Sequence, residues 1–236
     1  MNSTSQPTAL VTGAGRGLGL ALARSLLANG WRVVVDARRT AHLDAALPAA
    51  VVVPGDVTDP VHRDALASAV SGLAPTDEQR LDLLVNNASD LGPSPLPRLA
   101  DVPLAAVRRV YETNVVAPLA LTQLFLPLLR ASRGAVLNIS SDAAVEAYAG
   151  WGAYGSSKAA LDQLTAVLAA EEPGLAVYAV DPGDMRTEMH QAAFPGEDIS
   201  DRPAPESVVP ALLRLIAGRT TPSGRVRAAD LAGRSA

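Results

Sequence analysis

The architecture follows most directly from the stretch Thr8-Ala9-Leu10-Val11-Thr12-Gly13-Ala14-Gly15-Arg16-Gly17-Leu18-Gly19. Its first part, Thr8 to Thr12, is a short apolar run that predicts a buried β-strand, and Gly17 to Asn29 has the apolar spacing of a helix. A glycine-rich turn between a strand and a helix lets backbone approach a ligand closely. The helix start also offers free N–H groups and a positive dipole end to a phosphate. The stretch therefore predicts a nucleotide site.

The rest of the chain alternates short β-branched runs with longer helical patterns, which is typical of a parallel sheet covered by helices on both faces. Further strands are expected at Val33 to Val35, Val51 to Val53, Leu81 to Val85, Ala135 to Ile139, Leu175 to Val180 and near Val226. The two valine runs are expected to be buried. Helices are expected at Thr40 to Leu47, Pro60 to Ser71, Pro103 to Arg130, Gly152 to Ala170 and Pro205 to Ala217. The long third helix would bend at Pro118, since an internal proline removes a backbone hydrogen bond.

The domain organisation predicted from these patterns is simple. No repeat or low-complexity linker interrupts the sequence, which favours one α/β domain over residues 8–236, preceded by a flexible N-terminus, residues 1–7. The stretch Thr187 to Pro205 carries proline, glycine and acidic residues. We expect it to form a substrate lid that orders on binding.

Composition excludes several classes of function. The 236 residues are 48% hydrophobic and 19% charged, which suits a core-forming globular protein, and the net charge of -4 gives no electrostatic footprint for nucleic acid. No cysteine is present, so a disulfide, a thiolate nucleophile and a Cys-ligated zinc are excluded. His42, His62 and His190 have no ligand spacing and are interpreted as structural or surface residues, so no metal is expected. No secretory signal and no apolar run of membrane-spanning length is visible. We expect a cytoplasmic protein with no membrane partner.

Lys158 is the only lysine in the chain, and it follows Tyr154 by four residues in Tyr154-Gly155-Ser156-Ser157-Lys158. On a helix, these two positions share one face. A compact ammonium close to a phenol favours phenolate, so Lys158 is expected to lower the pKa of Tyr154 from about 10 toward working pH. Tyr154 then becomes a candidate proton donor. The alternative is a solvated surface lysine beside an ordinary tyrosine.

These motifs, taken together, resemble the short-chain dehydrogenases/reductases. The glycine turn differs from the general G-x-G-x-x-G fingerprint because position 18 is leucine, but it fits that family's T-G-x-x-x-G-x-G. The other matching segments are Asp56-Val57, Asn86-Asn87-Ala88, Asn114, Ser141 thirteen residues before Tyr154, and Pro182-Gly183 with Thr187. The resemblance implies a Rossmann-like, doubly wound parallel sheet of about seven strands that binds a nicotinamide cofactor.

The resemblance also implies a role for each matching residue. Tyr154 would be the general acid in carbonyl reduction and the base in alcohol oxidation, and Lys158 would hold the cofactor ribose. Ser141 would donate a hydrogen bond to the substrate oxygen, and its neighbour Ser140 is set aside only because of the thirteen-residue spacing. Asn114 would kink the long helix and anchor a water chain to Lys158; the alternative is a helix asparagine that satisfies a neighbouring carbonyl. The cofactor-binding residues would be Gly13, Arg16, Gly17, Leu18, Gly19, Ala37, Arg38, Asp56, Val57, Asn87, Ala88, Tyr154, Lys158, Pro182, Gly183 and Thr187.

The choice of cofactor depends on the end of the second strand, Val35-Asp36-Ala37-Arg38-Arg39. An acidic group there accepts from the adenosine ribose and favours NAD, whereas arginine favours the 2′-phosphate of NADP. The family's spacing from Gly13 places Ala37 at the discriminating position, with Arg38 next, and Arg16 adds a second cation. Because two guanidiniums outweigh one offset carboxylate in Coulomb terms, we expect NADP (NADPH), with NAD as the alternative.

The substrate is expected beyond the carboxyl ends of the strands, where the loops carry mostly apolar and aromatic side chains. These are Ser89, Leu91, Tyr148, Trp151, Met185, Met189 and Phe194. They favour a hydrophobic or cyclic small-molecule ketone or secondary alcohol, although the two methionines and Phe194 would equally suit a cap on the core. Ser89 stands where the family has glycine after Asn-Asn-Ala. The two long helices are rich in Leu, Ala and Val on more than one face, and in the family they form a subunit interface, so a homodimer or homotetramer is expected.

Three functions remain open from the sequence. The first is an NADP-dependent carbonyl reductase or alcohol dehydrogenase. The second is a cofactor-sensing protein without turnover, which the presence of Ser141, Tyr154 and Lys158 disfavours, because a binder needs no proton donor. The third is a non-redox enzyme of the same fold, such as an epimerase or dehydratase.

Overall fold

The computed structural model of the chain describes residues 6–73, 79–218 and 221–232. Residues 1–5 of the predicted N-terminal segment therefore lie outside the described residues. The strands are β1 (Thr8–Val11), β2 (Arg32–Ala37), β3 (Val51–Pro54), β4 (Leu83–Asn86), β5 (Ala135–Ile139), β6 (Ala176–Asp181) and β7 (Gly224–Arg227). They form one seven-stranded sheet in the order β3-β2-β1-β4-β5-β6-β7, and every neighbouring pair is parallel. The predicted fold class is confirmed.

The strand order reverses direction between β1 and β4, because β2 and β3 extend to one side of β1 and the later strands to the other. In an open parallel sheet, a crevice forms beyond the carboxyl ends of the strands at such a reversal. The glycine turn follows β1 and the Asn-Asn-Ala segment follows β4. The topology therefore brings two of the sequence motifs to the same crevice.

Helices connect the strands and cover both faces of the sheet. They are α1 (Gly17–Ala28), α2 (Leu43–Ala46), α3 (Pro60–Leu73), α4 (Leu104–Tyr111), α5 (Ala117–Ser132), α6 (Gly152–Glu171), α7 (Glu188–Ala193), α8 (Val209–Gly218) and α9 (Ala228–Ala232). Alternate side chains of a strand point to opposite faces. Ala9 and Val11 accordingly pack with α1 and α8, whereas Leu10 packs with α3 and α5.

Two element predictions were wrong in detail. Val51 to Val53 was predicted to be buried, but β3 is an edge strand whose first valine is 37% exposed, because no strand lies beyond it. Thr40 to Leu47 forms only the single turn α2.

The bend predicted at Pro118 is replaced by a π-helical turn, Glu112–Val116, which joins α4 to α5 just before that proline. Proline has no N–H for the carbonyl four residues earlier, which is that of Asn114, so the regular helical pattern cannot continue there. Asn114 lies within this turn and is completely buried. The irregularity therefore sits at the asparagine rather than at the proline.

The continuous helix Leu104–Ser132 has 29 residues and is long and apolar enough, by length and composition, to cross a membrane. The prediction that no segment reaches this length and hydropathy was wrong by that measure. Leu121, Phe125 and Leu129 on its inner side belong to the core beneath the sheet, so packing in the domain accounts for part of its apolar character. Only 33% of its most apolar window is buried, and Val116, Leu119 and Leu124 are exposed.

Candidate active site

The glycine turn after β1 requires glycine at two positions for reasons of space. Gly13 has a φ of 66°, and a Cβ added there would lie 2.7 Å from the Ala88 Cα. A Cβ added to Gly19 would lie 2.5 Å from the Asn87 Nδ2. Real Cβ atoms do not approach other atoms this closely, so the turn and the segment after β4 pack in direct contact only because side chains are missing.

Polar contacts lock the same two segments together. The Thr12 hydroxyl donates to the Val85 carbonyl at 3.1 Å and accepts from the N–H groups of Asn87 and Ala88 at 2.9 and 3.1 Å. The Asn87 side-chain amide donates to the Thr12 carbonyl at 2.8 Å. In this structure, Asn87 therefore braces the turn, which explains why an asparagine follows β4.

The start of α1 fits a phosphate group. The cap residue Arg16 makes no side-chain capping hydrogen bond, and no acidic residue lies in the first turn. Its first N–H groups therefore have no side-chain partner, and together with the helix dipole they suit an anion. The side chain of Leu18 packs in the core, and Leu18 also lines the cleft. Gly19 lies behind the cleft, against Asn87.

The end of β2 forms the wall where the adenosine half of a dinucleotide would lie. Ala37 packs against Gly15, and Arg38 and Arg39 are exposed at the cleft. The Asp36 carboxylate is buried; it accepts from the Gly13 N–H at 2.6 Å and lies 3.1 Å from His62 Nε2. Asp36 thus already has two partners inside the protein.

Three further observations concern this wall. Partial burial raises the pKa of Asp56, but hydrogen bonds from Thr58 and the charge of Arg38 outweigh it and hold the pKa below its ordinary value. The side chain of Arg16 forms an ion pair with Glu188 of α7 across the cleft, so its charge is partly compensated. His42, interpreted as structural or surface, also lines the cleft, with its Nε2 2.6 Å from the Gly15 carbonyl oxygen.

Tyr154, Lys158 and Ser141 come together at the carboxyl ends of β5 and β6, and all three line one cleft of about 710 Å³. Tyr154 and Lys158 lie on the inner face of α6 and are 8% and 2% exposed, which excludes a solvated surface lysine. The Lys158 ammonium lies 5.4 Å from the centroid of the Tyr154 ring. Ser141 has an effect that lowers the pKa of Tyr154, whereas the Ser140 hydroxyl donates to Asp162.

The prediction that Lys158 makes the Tyr154 phenol more acidic was wrong in this structure. Burial raises the pKa of Tyr154 to about 12, against the opposing effect of hydrogen bonds from Ser89 and Ser141. Lys158 lies over the face of the ring instead of at the hydroxyl, and its Nζ donates to the Ile139 carbonyl at 2.8 Å. The same burial lowers the pKa of Lys158 to about 8, partly offset by Asp162.

None of the hydrogen bonds described for Asn114 goes to Lys158, and Asn114 does not line the cleft. Its amide donates to the Asp90 carbonyl at 2.9 Å and to Ser157 Oγ at 3.0 Å, and its oxygen accepts from the Asp90 N–H at 2.8 Å and the Ser89 hydroxyl at 3.2 Å. The alternative given for this residue, an asparagine that satisfies a neighbouring carbonyl, describes these contacts. Asn114 ties the loop after β4 to α6.

A partly buried ionic cluster behind the cleft was missed by the sequence analysis. Arg225 of β7 donates to the Ser141 carbonyl at 3.0 Å and to Asp181 at 3.2 Å, and its Nε lies 3.4 Å from Asp162. Asp162 also accepts from the Ser140 hydroxyl. Asp162 follows Lys158 by four residues on α6, so the sequence could have indicated that Asp162 lies near the site. No neighbouring residue indicated that Arg225 would join this cluster.

An aromatic cluster surrounds Trp151, which lines the cleft. The Trp151 ring centroid lies 5.7 Å from that of Tyr154, 6.0 Å from that of Phe194 and 6.4 Å from that of Tyr148, although Phe194 and Tyr148 do not line the cleft themselves. Leu91 and Met189 pack in the same cluster, whereas Met185 packs against the main core. Met185 therefore does not belong to the cluster around Trp151, although the sequence analysis had grouped them together.

The segment after β6 closes the other side of the cleft. Pro182, Gly183 and Thr187 all line it. Gly183 has a φ of 75°, and its N–H donates to the Asp181 carboxylate at 3.0 Å. The Thr187 hydroxyl caps α7 by accepting from the His190 N–H at 3.1 Å. The predicted lid, Thr187 to Pro205, begins with this short helix.

Comparison with known proteins agrees with this geometry. The family profile described as short chain dehydrogenase matches residues 7–198. Serine 3-dehydrogenase of Agrobacterium fabrum is 36% identical over 77% of this chain and 73% of its own length. Sepiapterin reductase of Mus musculus is 38% identical over 78% of this chain and 76% of its own. An Escherichia coli structure solved as a complex with NADPH superposes with a TM-score of 0.85 at 29% identity, covering 94% of this chain and 96% of its own.

Proposed function

Because the chain belongs to the short-chain dehydrogenase family and is therefore an NAD(P)-dependent oxidoreductase, we propose that it interconverts a ketone and a secondary alcohol with NADP as cofactor. The proposed substrate is hydrophobic or cyclic. The observation that carries this proposal is the shared position of Tyr154, Lys158 and Ser141 on the cleft that the glycine turn also lines.

Each residue of the cleft has a separate role in the proposed reaction. When bound, the nicotinamide supplies or accepts the hydride. In reduction, Tyr154 gives its phenolic proton to the carbonyl oxygen, and the Ser141 hydroxyl donates to the same oxygen as negative charge develops there. Ser141 donates to Asp142 at 2.9 Å in this structure, so its hydroxyl turns to reach a substrate. Burial keeps the Tyr154 phenol protonated at neutral pH, which is the state required of a proton donor.

The preference for NADP is supported by the end of β2. Its carboxylate, Asp36, already accepts from Gly13 and contacts His62, whereas Arg38 and Arg39 are exposed beside the cleft. An exposed guanidinium suits a 2′-phosphate, for which it offers paired donors and charge. The Escherichia coli structure with NADPH supports the same choice. NAD remains the alternative cofactor.

We also propose a homo-oligomer in which a second copy covers the outer sides of α5 and α6. Val116, Leu119 and Leu124 expose apolar surface there, and Val167 of α6 is 42% exposed. An apolar stripe on a long helix, of which one chain buries only 33% of the most apolar window, is typical of a subunit interface. Light scattering of the purified protein tests this proposal.

The test of the proposed activity follows NADPH absorbance with a panel of hydrophobic and cyclic ketones. Wild type is compared with Tyr154→Phe and with the matched control Tyr111→Phe, which changes a tyrosine at the end of α4. We expect turnover in wild type and the control, and loss of turnover with cofactor affinity retained in Tyr154→Phe. Equal turnover in all three proteins would contradict the proposed role of Tyr154 as proton donor. Cofactor binding without turnover of any ketone or alcohol would favour the cofactor-sensing or non-redox alternatives.

A further inference from the structure

Ser141 and Asp142 form a hydrogen-bonded pair on the wall of the cleft. The Ser141 hydroxyl donates to Asp142 Oδ1 at 2.9 Å, and both residues line the same cleft as Tyr154. The Ala143 N–H donates to that carboxylate oxygen at 2.8 Å and to the Ser141 oxygen at 3.2 Å, which fixes both side chains on the short turn after β5. The cleft therefore presents a hydroxyl donor and a carboxylate acceptor that are one hydrogen-bond length apart.

Asp142 has no ion-pair partner in the described part of the chain, unlike other carboxylates of the cleft. Asp90 and Asp181 also line the cleft, and each forms an ion pair with an arginine. The Tyr148 hydroxyl lies 3.0 Å from Asp142, but it has a single proton and is closer to Glu146, at 2.7 Å. A carboxylate without a neighbouring cation favours a further hydrogen-bond donor, and a charged donor most strongly.

The proposed reaction breaks the bond between Ser141 and Asp142. In reduction the Ser141 hydroxyl donates to the substrate oxygen, so it leaves a charged acceptor, and such bonds are about twice as strong as neutral ones. A plain ketone offers only an acceptor and gives Asp142 no donor in exchange. A ketone with a hydroxyl or ammonium group on the adjacent carbon does supply one. Its acceptor and donor lie about one hydrogen-bond length apart when they point the same way, which matches the spacing of Ser141 and Asp142.

We propose that Asp142 is a specificity-determining residue, which selects ketones that carry a hydroxyl or ammonium group on the carbon next to the carbonyl. The inference rests on the proposed function and names the polar end of its substrate. The carbonyl oxygen accepts from Ser141 and Tyr154, and the neighbouring group donates to the Asp142 carboxylate. Leu91 and Trp151 line the same cleft and suit the apolar remainder of the molecule. Reduction turns such a substrate into a vicinal diol or an amino alcohol, and the neighbouring group itself is unchanged.

Four acetophenones test this selectivity with NADPH as cofactor. The α-hydroxy and α-amino compounds carry the donor, the α-methoxy compound replaces the hydroxyl proton by a methyl group, and acetophenone itself has no substituent. We expect kcat/KM for the α-hydroxy compound to exceed that for the methyl ether about tenfold, the effect of one hydrogen bond to a charged group. The ratio of the hydroxy to the amino compound distinguishes the two donors. A methyl ether that is reduced as efficiently as both donor compounds would overturn the inference.

Asp142→Asn tests the residue itself, because it removes the charge and keeps the size and an acceptor oxygen. We expect the preference for the α-hydroxy compound over the ether to fall to about threefold or less. The kcat/KM for acetophenone should rise about threefold, because Ser141 then leaves a neutral acceptor. Damage to the fold would lower both rates together, and that result, or an unchanged preference, would contradict the role of Asp142. Glu146→Gln is the matched control, since Glu146 also contacts Tyr148 but does not line the cleft.

A binding measurement without turnover separates this inference from the proposed function. Protein saturated with oxidised cofactor cannot reduce a ketone, so titration calorimetry gives the affinity for each compound alone. We expect wild type to bind the α-hydroxy compound at least about fivefold more tightly than the ether, and Asp142→Asn to lose this difference. Selective binding in a protein that reduces no ketone would support the inference and contradict the proposed reaction. Equal affinities would overturn the role of Asp142, even in a protein that reduces both compounds.

Discussion

Arg225 of the last strand donates a hydrogen bond to the backbone carbonyl of Ser141 at 3.0 Å. The two residues are far apart in sequence, but β7 lies beside β6, which lies beside β5, and Ser141 follows β5. The guanidinium also contacts Asp181 and Asp162. One side chain of β7 therefore holds the Ser141 backbone and balances two carboxylates behind the cleft.

Replacing that guanidinium should weaken both the site and the fold. In Arg225→Leu we expect kcat to fall about tenfold, because the Ser141 backbone loses its brace, and the free energy of unfolding to fall by about 3 kcal/mol, because two largely buried carboxylates lose their cation. Steady-state kinetics and urea unfolding measure the two effects. Arg227→Leu, which changes an exposed arginine at the end of the same strand, is the control. A variant as active and as stable as wild type would contradict this role.

The buried ammonium of Lys158 should make stability depend on pH. Its folded pKa of about 8 lies below the ordinary lysine pKa of 10.5, so between these values the unfolded chain binds more protons than the folded one. The free energy of unfolding therefore rises with pH in this window, by about 2–3 kcal/mol between pH 8 and pH 10. Urea unfolding of wild type should show this rise relative to Lys158→Met. If the free energy of unfolding depends on pH in the same way in both proteins, the lowered pKa of Lys158 is excluded.

A methyl group at Gly19 should disrupt the glycine turn. Its Cβ would meet Asn87 Nδ2 at 2.5 Å and the Gly13 carbonyl oxygen at 2.7 Å. We expect Gly19→Ala to lower the free energy of unfolding by about 1–3 kcal/mol, as overpacking does, and to weaken NADPH binding more than tenfold. Thermal unfolding and fluorescence titration with NADPH measure these effects. Gly174→Ala is the control, since no atom lies within 4 Å of its added Cβ.

Removal of the two exposed arginines after β2 should reverse the cofactor preference. We expect the double change Arg38→Ala with Arg39→Ala to raise KM for NADPH by tenfold or more, because each guanidinium contributes charge-assisted hydrogen bonds to a phosphate. KM for NADH should change little. The control is Arg98→Ala, an exposed arginine away from the cleft. A wild-type enzyme that prefers NADH tenfold would contradict the proposed cofactor.

A charge on the outer side of α5 should separate the proposed subunits. Leu119 is 40% exposed there, and an arginine in its place would be desolvated by a second copy. We expect Leu119→Arg to reduce the mass measured by light scattering to that of one chain. Val61→Arg, on exposed α3, should leave the mass unchanged. A wild-type protein that is already monomeric would contradict the proposed oligomer.

Local pattern was sufficient for most of the fold. The apolar runs of β1 and β5 and the helical spacing of α1 and α6 are properties of neighbouring residues, and the structure places these elements within a few residues of their predicted bounds. The pattern could not show that β3 lies at the edge, because a valine run has the same composition at the edge of a sheet as at its centre. It also could not show that Arg225 of the last strand would contact the loop after β5.

By itself, the sequence determined the alternating α/β architecture, the glycine turn and the pairing of Tyr154 with Lys158, because each depends on residue types at short, regular spacings. Only the tertiary structure decided that burial raises the pKa of Tyr154 and that Lys158 lies over the ring. Acidity and hydrogen bonding depend on burial and on atoms brought together from distant strands. Neither quantity can be obtained from spacing along the chain.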